Sequence, residues 1–280
     1  VTGKISDFAP NAKIVHFELD PAEVNKNVQV DYKVIGDLRR TLPIFKNKLN
    51  SSGTNFSEKF SAWKGQAIAK GAEHPFTFKT EGDTIKPGAL ITKISDLADD
   101  KTIAVTDVGQ HQMWAAQFFK TRAPRQFLTS GGLGTMGFGL PAAIGAKLAC
   151  PDKNVILFTG DGSIMMNIQE LATIADHDID VKVVIVHNFI LGMVGQWQRL
   201  FYNHHYSASE LNFKRDFVKI AEAMGVRAYR LTKAEELETE LPEILFSKGA
   251  AVIDVYVPQE ENVIPMVPGG KRLDQMVLSV

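Results

Sequence analysis

Two apolar runs in this chain each end in residues that do something other than pack. Val155–Thr159 leads into Gly160-Asp161-Gly162-Ser163, and Val181–Val186 leads into His187-Asn188. A carboxylate and a carboxamide oxygen, beside glycines that let backbone come close, make a hard-oxygen site suited to Mg²⁺. Mg²⁺ keeps few protein ligands and completes its shell with phosphate oxygens and water. A helix following Gly162 is expected to turn its free N–H groups toward the same anion. The chemistry is that of a diphosphate held through a metal. Taken singly, Gly-Asp-Gly is equally a tight strand-to-helix turn, and Asn188 an ordinary strand-end residue.

For Asp161 and Asn188 to share a ligand, their strands must lie side by side. Both runs are short and uniformly apolar, the pattern of parallel strands covered on both faces. Ile168, Leu171, Ala172 and Ala175 recur between them at helical spacing. The unit is therefore strand–helix–strand with a right-handed crossover, and ligands of such sheets bind at the carboxyl ends of strands. The alternation extends both ways. Helices are predicted at Pro87–Ala98, Gln110–Phe119, Leu140–Leu148, Phe213–Met224 and Ala234–Phe246. Strands are predicted at Thr102–Thr106, Gln126–Thr129, Arg227–Leu231 and Ala251–Val257. The fold class is α/β, a doubly wound and mostly parallel sheet, preceded by the remnant of a second α/β domain. That remnant holds strands at Ala12–Leu19 and Val28–Ile35, a helix start at Asp20-Pro21 and a helix at Asp37–Leu49, too little for an independent domain. A connection follows, with one amphipathic helix over Phe56–Ala69.

Composition narrows the classes. The chain has 280 residues, 45% hydrophobic and 22% charged, as in ordinary globular proteins. A net charge of −1 gives no reason to expect nucleic acid or an acidic membrane surface as partner. No apolar run approaches the ~20 residues of a membrane span. One cysteine, Cys150, fits a reducing compartment. The expected location is cytoplasmic, or organellar in a eukaryote. The start, Val-Thr-Gly-Lys, has neither Met nor a signal-peptide pattern and reads as cut from a longer chain.

Asn188 follows Asp161 by 27 positions, a spacing that resembles the motif of thiamine-diphosphate-dependent enzymes. Four stretches narrow the likeness: Asp107–Gln117, Gly131–Ala146, Gly160–Ile174 and Leu191–Gln198 are similar to the catalytic subunit of the acetohydroxyacid (acetolactate) synthases. The likeness runs from Val1 to the carboxyl end. It implies a thiamine-diphosphate-binding fold over residues 87–280, a linker over 49–86, and over 1–48 the tail of a middle, FAD-type domain. It implies Mg²⁺ held by Asp161, Asn188 and the backbone carbonyl of Ile190. The cofactor would lie among Val108, Gly109, Gln110, His111, Gly134, Met136, Gly160, Asp161, Gly162, Ser163, Asn188, Ile190, Leu191, Gly192, Met193 and Val194. Met136 would wedge the two cofactor rings into a bent shape, and Trp197, Met193 and Val194 would line the substrate channel. FAD would lie near Asp20, Asp37, Gln112, Met113, Gly131 and Gly132, although both aspartates read equally as helix caps.

The resemblance further implies decarboxylative condensation of two 2-ketoacids, pyruvate with pyruvate or with 2-oxobutyrate, in branched-chain amino-acid biosynthesis. The glutamate that activates the cofactor belongs in this family to an amino-terminal domain acting across a dimer interface, and nothing here matches it. No catalytic residue is therefore assigned, and the chain alone is expected to be inactive. Its expected partners are chains supplying that domain, in a dimer or tetramer, and a regulatory subunit. Glu260–Lys271 resembles a tail that closes over the site. The chain departs from the family at His187, Phe189 and Ile190, where Asn, Gln and His are more usual, and at Gly195, where relatives are larger. The rival readings are another enzyme of this cofactor class, such as glyoxylate carboligase or pyruvate oxidase, and a non-catalytic Mg-diphosphate-binding fragment. His204-His205 has no third ligand near it and reads as surface.

Overall fold

A computed structural model describes residues 3–80, 82–211 and 214–279. They form two compact units, residues 3–75 with 264–279, and residues 76–263.

In the smaller unit β1 (Val15–Glu18) and β2 (Tyr32–Ile35) pair in parallel, Val15 opposite Tyr32. α1 (Leu38–Ser51) follows, and its Phe45 meets Phe17 of β1 edge-on at 5.4 Å. The start signal at Asp20-Pro21 yields only a 3-10 turn, Pro21–Glu23, and Asn25 just beyond it takes φ of +63°, which ends any helix. The single helix expected over Phe56–Ala69 is two, α2 (Phe56–Lys59) and α3 (Ser61–Glu73), interrupted at Phe60. Residues 264–279 join this unit: the Lys4 N–H donates to the Lys271 carbonyl at 2.9 Å.

The larger unit carries α4 (Pro87–Leu97), β3 (Thr102–Thr106), α5 (Gln110–Phe118), β4 (Phe127–Thr129), α6 (Gly139–Ala149), β5 (Asn154–Gly160) and α7 (Glu170–Asp176). It continues through β6 (Val181–His187), α8 (Gly192–Phe201), α9 (Phe217–Ala223), β7 (Arg227–Leu231), α10 (Glu236–Thr239), α11 (Leu241–Phe246) and β8 (Ala251–Tyr256). Its sheet has the order β4-β3-β5-β6-β8-β7, with every pairing parallel. Successive residues of each strand feed opposite faces, as the two-residue period of a strand requires. Ile156, Phe158, Val184, Val186, Ile253 and Val255 pack with residues of α4, α5, α10 and α11. Val155, Leu157, Val183, Ile185 and Val252 pack with residues of α6, α7 and α9. The sheet is therefore covered on both sides, the doubly wound α/β fold expected from its apolar strands. Each fully buried Ile, Leu or Val of these layers is worth roughly 1.5–3 kcal/mol.

Helix boundaries depart from the sequence reading at three places. The helix expected over Ala234–Phe246 breaks into α10 and α11, because Pro242 in the first turn of α11 has no N–H to continue a ladder. Phe213, the expected start of another helix, lies outside the described residues; α9 begins at Phe217, with the Asp216 carboxylate accepting the Lys219 N–H at 3.3 Å. No helix starts directly after Gly162. A 3-10 turn, Ile164–Met166, intervenes, and α7 starts only at Glu170. The anion-binding helix N-terminus expected at the Gly-Asp-Gly turn is thus displaced by about two turns of chain.

Candidate diphosphate and metal site

The strand order reverses between β3 and β5, since the chain runs outward to β4 on one side and to β6, β8 and β7 on the other. A reversal of this kind opens a crevice at the carboxyl ends of the two strands. There the structure has a cleft of about 700 Å³. β3 delivers Val108, Gly109, Gln110 and His111 to it, β5 delivers Gly160 to Ser163, and β6 delivers Asn188, Ile190 and Leu191. Gly192, Met193 and Val194 of α8, together with Met136, complete the wall. Of the sixteen cofactor-binding positions read from sequence, only Gly134 does not line this cleft; it turns at φ of +64° with Val108 as its near neighbour.

Asp161 is buried at the tip of β5. Its Oδ1 accepts the Gly162 N–H at 3.1 Å, and the Phe189 N–H also reaches its carboxylate. The strand tips are held together by the ladder itself, Gly160 of β5 standing opposite Val186 of β6, two residues before Asn188. Asp161 Oδ2 is buried without a hydrogen-bond partner, 3.6 Å from His187 Nε2. Burial pushes the carboxyl up to about 6, with His187 and the Phe189 and Gly162 N–H groups pulling it back down. A buried, unpartnered carboxylate oxygen is what a cation would satisfy. The donor set suits Mg²⁺: Asn188 is buried with its Nδ2 donating to Gln110 Oε1 at 3.0 Å, which leaves Oδ1 to accept the Ile190 N–H at 3.3 Å. Every candidate ligand is an oxygen, from a carboxylate, a carboxamide or a backbone carbonyl.

His111 stands next to the turn, buried, with no partner for its Nε2. Burial lowers its pKa to about 3, while the Asp107 backbone carbonyl pulls the other way. The ring is wedged between glycines: a Cβ at Gly160 would come 2.9 Å from Nδ1, and one at Gly109, whose φ is +152°, would come 2.8 Å from Cε1. Ser163 is not free for a ligand. Its hydroxyl lies 2.9 Å from Thr159 Oγ1 and accepts the Gly160 N–H at 3.0 Å, which knots the turn.

The glycine-rich loop is held from below by a residue not singled out from sequence. Asp107 is buried and accepts three backbone N–H groups, from Val108 at 2.7 Å, Gly137 at 2.9 Å and Gly139 at 3.2 Å. Burial raises its pKa, and those N–H groups oppose the shift. This anchor sets Met136 at the cleft, while Gly131 and Gly132 lie exposed.

Other positions sort as follows. Met193 and Val194 line the cleft, but Trp197 does not; it is half-exposed and packs edge-on against Phe201 at 5.5 Å. Trp197 and Phe201 of α8 thus face outward, the half-exposed Val194 borders the cleft, and the buried residues of that helix are Gly195 and Gln196. The small Gly195 has a local reason, since a Cβ there would strike Ile190 Cδ1. Gln112 and Met113 line the same cleft as the diphosphate set, whereas Asp20 and Asp37 belong to the smaller unit. There each acts as a cap, Asp20 for the Ala22 N–H at 2.9 Å and Asp37 for the Arg39 N–H at 2.8 Å. Trp114 and Val186 line the cleft without having been singled out. Trp114 could have been found, being one helical turn from Gln110 on the same face. His204 and His205 are exposed, and among the described residues no group of three potential metal-ligating side chains occurs.

Comparison with known proteins puts the residues of this cleft inside a family model. The thiamine pyrophosphate enzyme C-terminal TPP binding domain matches residues 107–255, and the central domain of the same enzymes matches residues 1–44. The chain is 44% identical over 284 residues to chloroplastic acetolactate synthase 1 of Nicotiana tabacum, covering 99% of this chain and 43% of that protein. It is 46% identical to the acetolactate synthase large subunit of Parasynechococcus marenigrum (strain WH8102), covering 44% of it. With the acetolactate synthase isozyme 2 large subunit of Escherichia coli (strain K12) the identity is 40%, over 49% of that protein. The chain spans less than half the length of these curated relatives.

Proposed function

Because the chain belongs to the thiamine pyrophosphate enzyme family, we propose that its larger unit is the diphosphate-holding half of an acetolactate synthase active site. The observation that carries this reading is the unpartnered Asp161 Oδ2, buried just past the tip of β5, where Gly160 pairs with Val186 at the end of β6, two residues before Asn188. Asp161, the Asn188 carboxamide and the Ile190 carbonyl would hold Mg²⁺. The His111 ring and the backbone of Gly160–Gly162 would face the phosphate oxygens. Met136, placed at the cleft by the loop that Asp107 anchors, would press on the bent cofactor. Met193 and Val194 give the cleft an apolar side that excludes water from a small ketoacid.

Bound there, thiamine diphosphate supplies the electron sink for decarboxylating a 2-ketoacid before its carbon joins a second one. This chain contributes cofactor holding and a dry wall. In this reading the activating carboxylate lies outside these 280 residues, on a pyrimidine-binding domain that meets the cleft within a dimer or tetramer. Residues 1–48 are read as the tail of an FAD-type domain, residues 49–86 as its linker and residues 87–280 as the diphosphate domain with its closing tail. Relatives named large subunits support a regulatory small subunit as a further partner. No helix among the described residues is long and apolar enough to cross a membrane.

The experiment supplies pyruvate, 2-oxobutyrate, thiamine diphosphate and Mg²⁺ to the complete assembly and identifies the products. Acetolactate and acetohydroxybutyrate with CO₂ release are expected, and both are lost in Asp161→Ala. Peroxide formed from pyruvate, or glyoxylate condensation in preference to pyruvate, would assign the chain to another enzyme of the class. A folded assembly that binds the cofactor and releases no CO₂ would make it a binding module.

A further inference from the structure

A chain of buried amides runs from the proposed metal site to the segment at 261–263. Gln196 of α8 is fully buried. Its Nε2 donates to the Val263 carbonyl at 3.1 Å, and its Oε1 accepts the Val263 N–H at 2.8 Å and Gln110 Nε2 at 2.8 Å. Gln110 Nε2 also donates to the Glu261 carbonyl at 2.8 Å, and Gln110 Oε1 accepts from Asn188 Nδ2 at 3.0 Å.

An amide can usually be turned end for end, but not here. The carbonyls of Glu261 and Val263 can only accept, so the atoms facing them are the NH₂ groups of Gln110 and Gln196. Gln110 therefore presents its oxygen to Asn188, and Asn188 must answer with its NH₂. That leaves the Asn188 carboxamide oxygen, which accepts the Ile190 N–H on one lone pair, as the end that can serve a metal with the other. The order of donors set by backbone atoms at 261 and 263 is carried through two glutamines to Asn188, where it agrees with the Ile190 N–H facing the carboxamide oxygen. The start of α8 is shaped around the same pair: a Cβ at Gly192 would strike Gln110 Oε1 and come 2.9 Å from Asn188 Nδ2.

We infer that Gln196 is a positioning residue for the metal site, fixing through Gln110 which end of the Asn188 carboxamide faces the cation. The inference rests on the reading of Asn188 as a metal ligand. Merely docking α8 onto the 261–263 segment would require no particular amide orientation, and a neighbouring bond supplies the control. Arg199, on the same helix, donates to Asn262 Oδ1 at 3.1 Å and touches none of the relay.

The test measures, in the intact protein, the Mn²⁺ dependence of thiamine diphosphate binding by quenching of tryptophan fluorescence, Trp114 being part of the cleft wall. Gln196→Met keeps the volume and removes both hydrogen-bonding ends. It is expected to raise the half-saturating Mn²⁺ concentration about tenfold, the lower range for loss of a group that orients a metal ligand. Gln196→Glu, which keeps the oxygen for Gln110 and carries a proton toward the Val263 carbonyl when buried, is expected to restore binding to within about threefold. Arg199→Ala is expected to leave the Mn²⁺ dependence unchanged. Where Gln196→Met does not fold, Val263→Pro removes the N–H that fixes Gln196 Oε1, its ring also fixing φ at that residue, and is expected to shift the Mn²⁺ dependence in the same direction. Wild-type behaviour of Gln196→Met, or of Val263→Pro in its place, overturns the inference, as does an equal loss in Arg199→Ala. Absence of any Mn²⁺-dependent binding in the unmutated protein overturns the site reading as well.

Discussion

His187 Nδ1 lies 2.8 Å from Asp254 Oδ1, in a contact between two strands that is closed to solvent on both sides. A carboxylate can only accept, so Nδ1 carries the proton. Asp254 is held in turn from β7, where Arg230 Nε donates to its Oδ2 at 3.2 Å and the Arg230 guanidinium sits over the Tyr256 ring at 5.3 Å. On its other side His187 Nε2 faces Asp161 Oδ2 at 3.6 Å. A row of buried polar groups on three neighbouring strands thus ends beside the tip of β5, without a hydrogen bond to Asp161 Oδ2. Asp254→Ala strands a buried imidazole and one side of an arginine, and is expected to cost about 3 kcal/mol of stability. Urea denaturation monitored by circular dichroism checks this; a loss within ~0.5 kcal/mol would remove the pair from the account of stability.

The buried His111 ring makes the fold acid-sensitive. Its pKa falls from the ordinary 6.5 to about 3 in the folded chain, chiefly through burial. A depressed folded pKa contributes stability that is complete above pH 6.5 and is lost as pH falls toward 3. Asp161 acts in the opposite sense, because its carboxyl is raised from 3.8 to about 6 and its destabilising contribution fades as pH falls through that window. The comparison that isolates His111 is the urea midpoint at pH 7 and pH 4.5 in the wild type and in His111→Gln. The wild type is expected to lose more stability over this range than the variant, and equal losses would contradict the assignment.

Asp107 holds the glycine loop by three N–H groups at once. Asp107→Ala leaves those donors without their acceptor and is expected to cost about 3 kcal/mol. Loss of the anchor also predicts faster proteolysis within residues 130–138 than elsewhere in the larger unit. Limited digestion followed by mass spectrometry reads this directly, and an unchanged cleavage pattern would show that the loop is held by other means.

Gly192→Ala adds one carbon where the Gln110–Asn188 amide pair lies against the backbone. The pair must separate or α8 must shift. Overpacking of this kind costs about 1–3 kcal/mol. The melting temperature is expected to fall, and Mn²⁺-dependent thiamine diphosphate binding to weaken with it. Gly145→Ala, where nothing stands within 4 Å of the new carbon, is the matched control.

Much of the fold was legible before any coordinates. A β-branched run such as Val181–Val186, apolar apart from Lys182, reads as a strand buried on both faces, which requires parallel neighbours and helices on both sides. The turn residues after β3, β5 and β6 followed from where such strands end. Helix boundaries were less legible. Pro242 and the 3-10 turn after Ser163 act locally, and an apolar periodicity of 3.6 residues runs through such interruptions without registering them. The orientation of α8 was less legible for a related reason: spacing puts Val194, Trp197 and Phe201 on one face of that helix but does not say which side the sheet will cover.

By itself the amino-acid sequence determined the parallel sheet and the residue types that gather at the strand tips, because these depend on pattern and spacing along the chain, while its motifs carried the family likeness. Tertiary structure alone decided which groups share a hydrogen bond. Gln110 meets Gln196 across 86 positions and Asn188 across 78, and His187 meets Asp254 across 67. Polar side chains far apart in sequence carry no periodic signal, and their partners exist only once folding removes water and every buried donor has to find an acceptor.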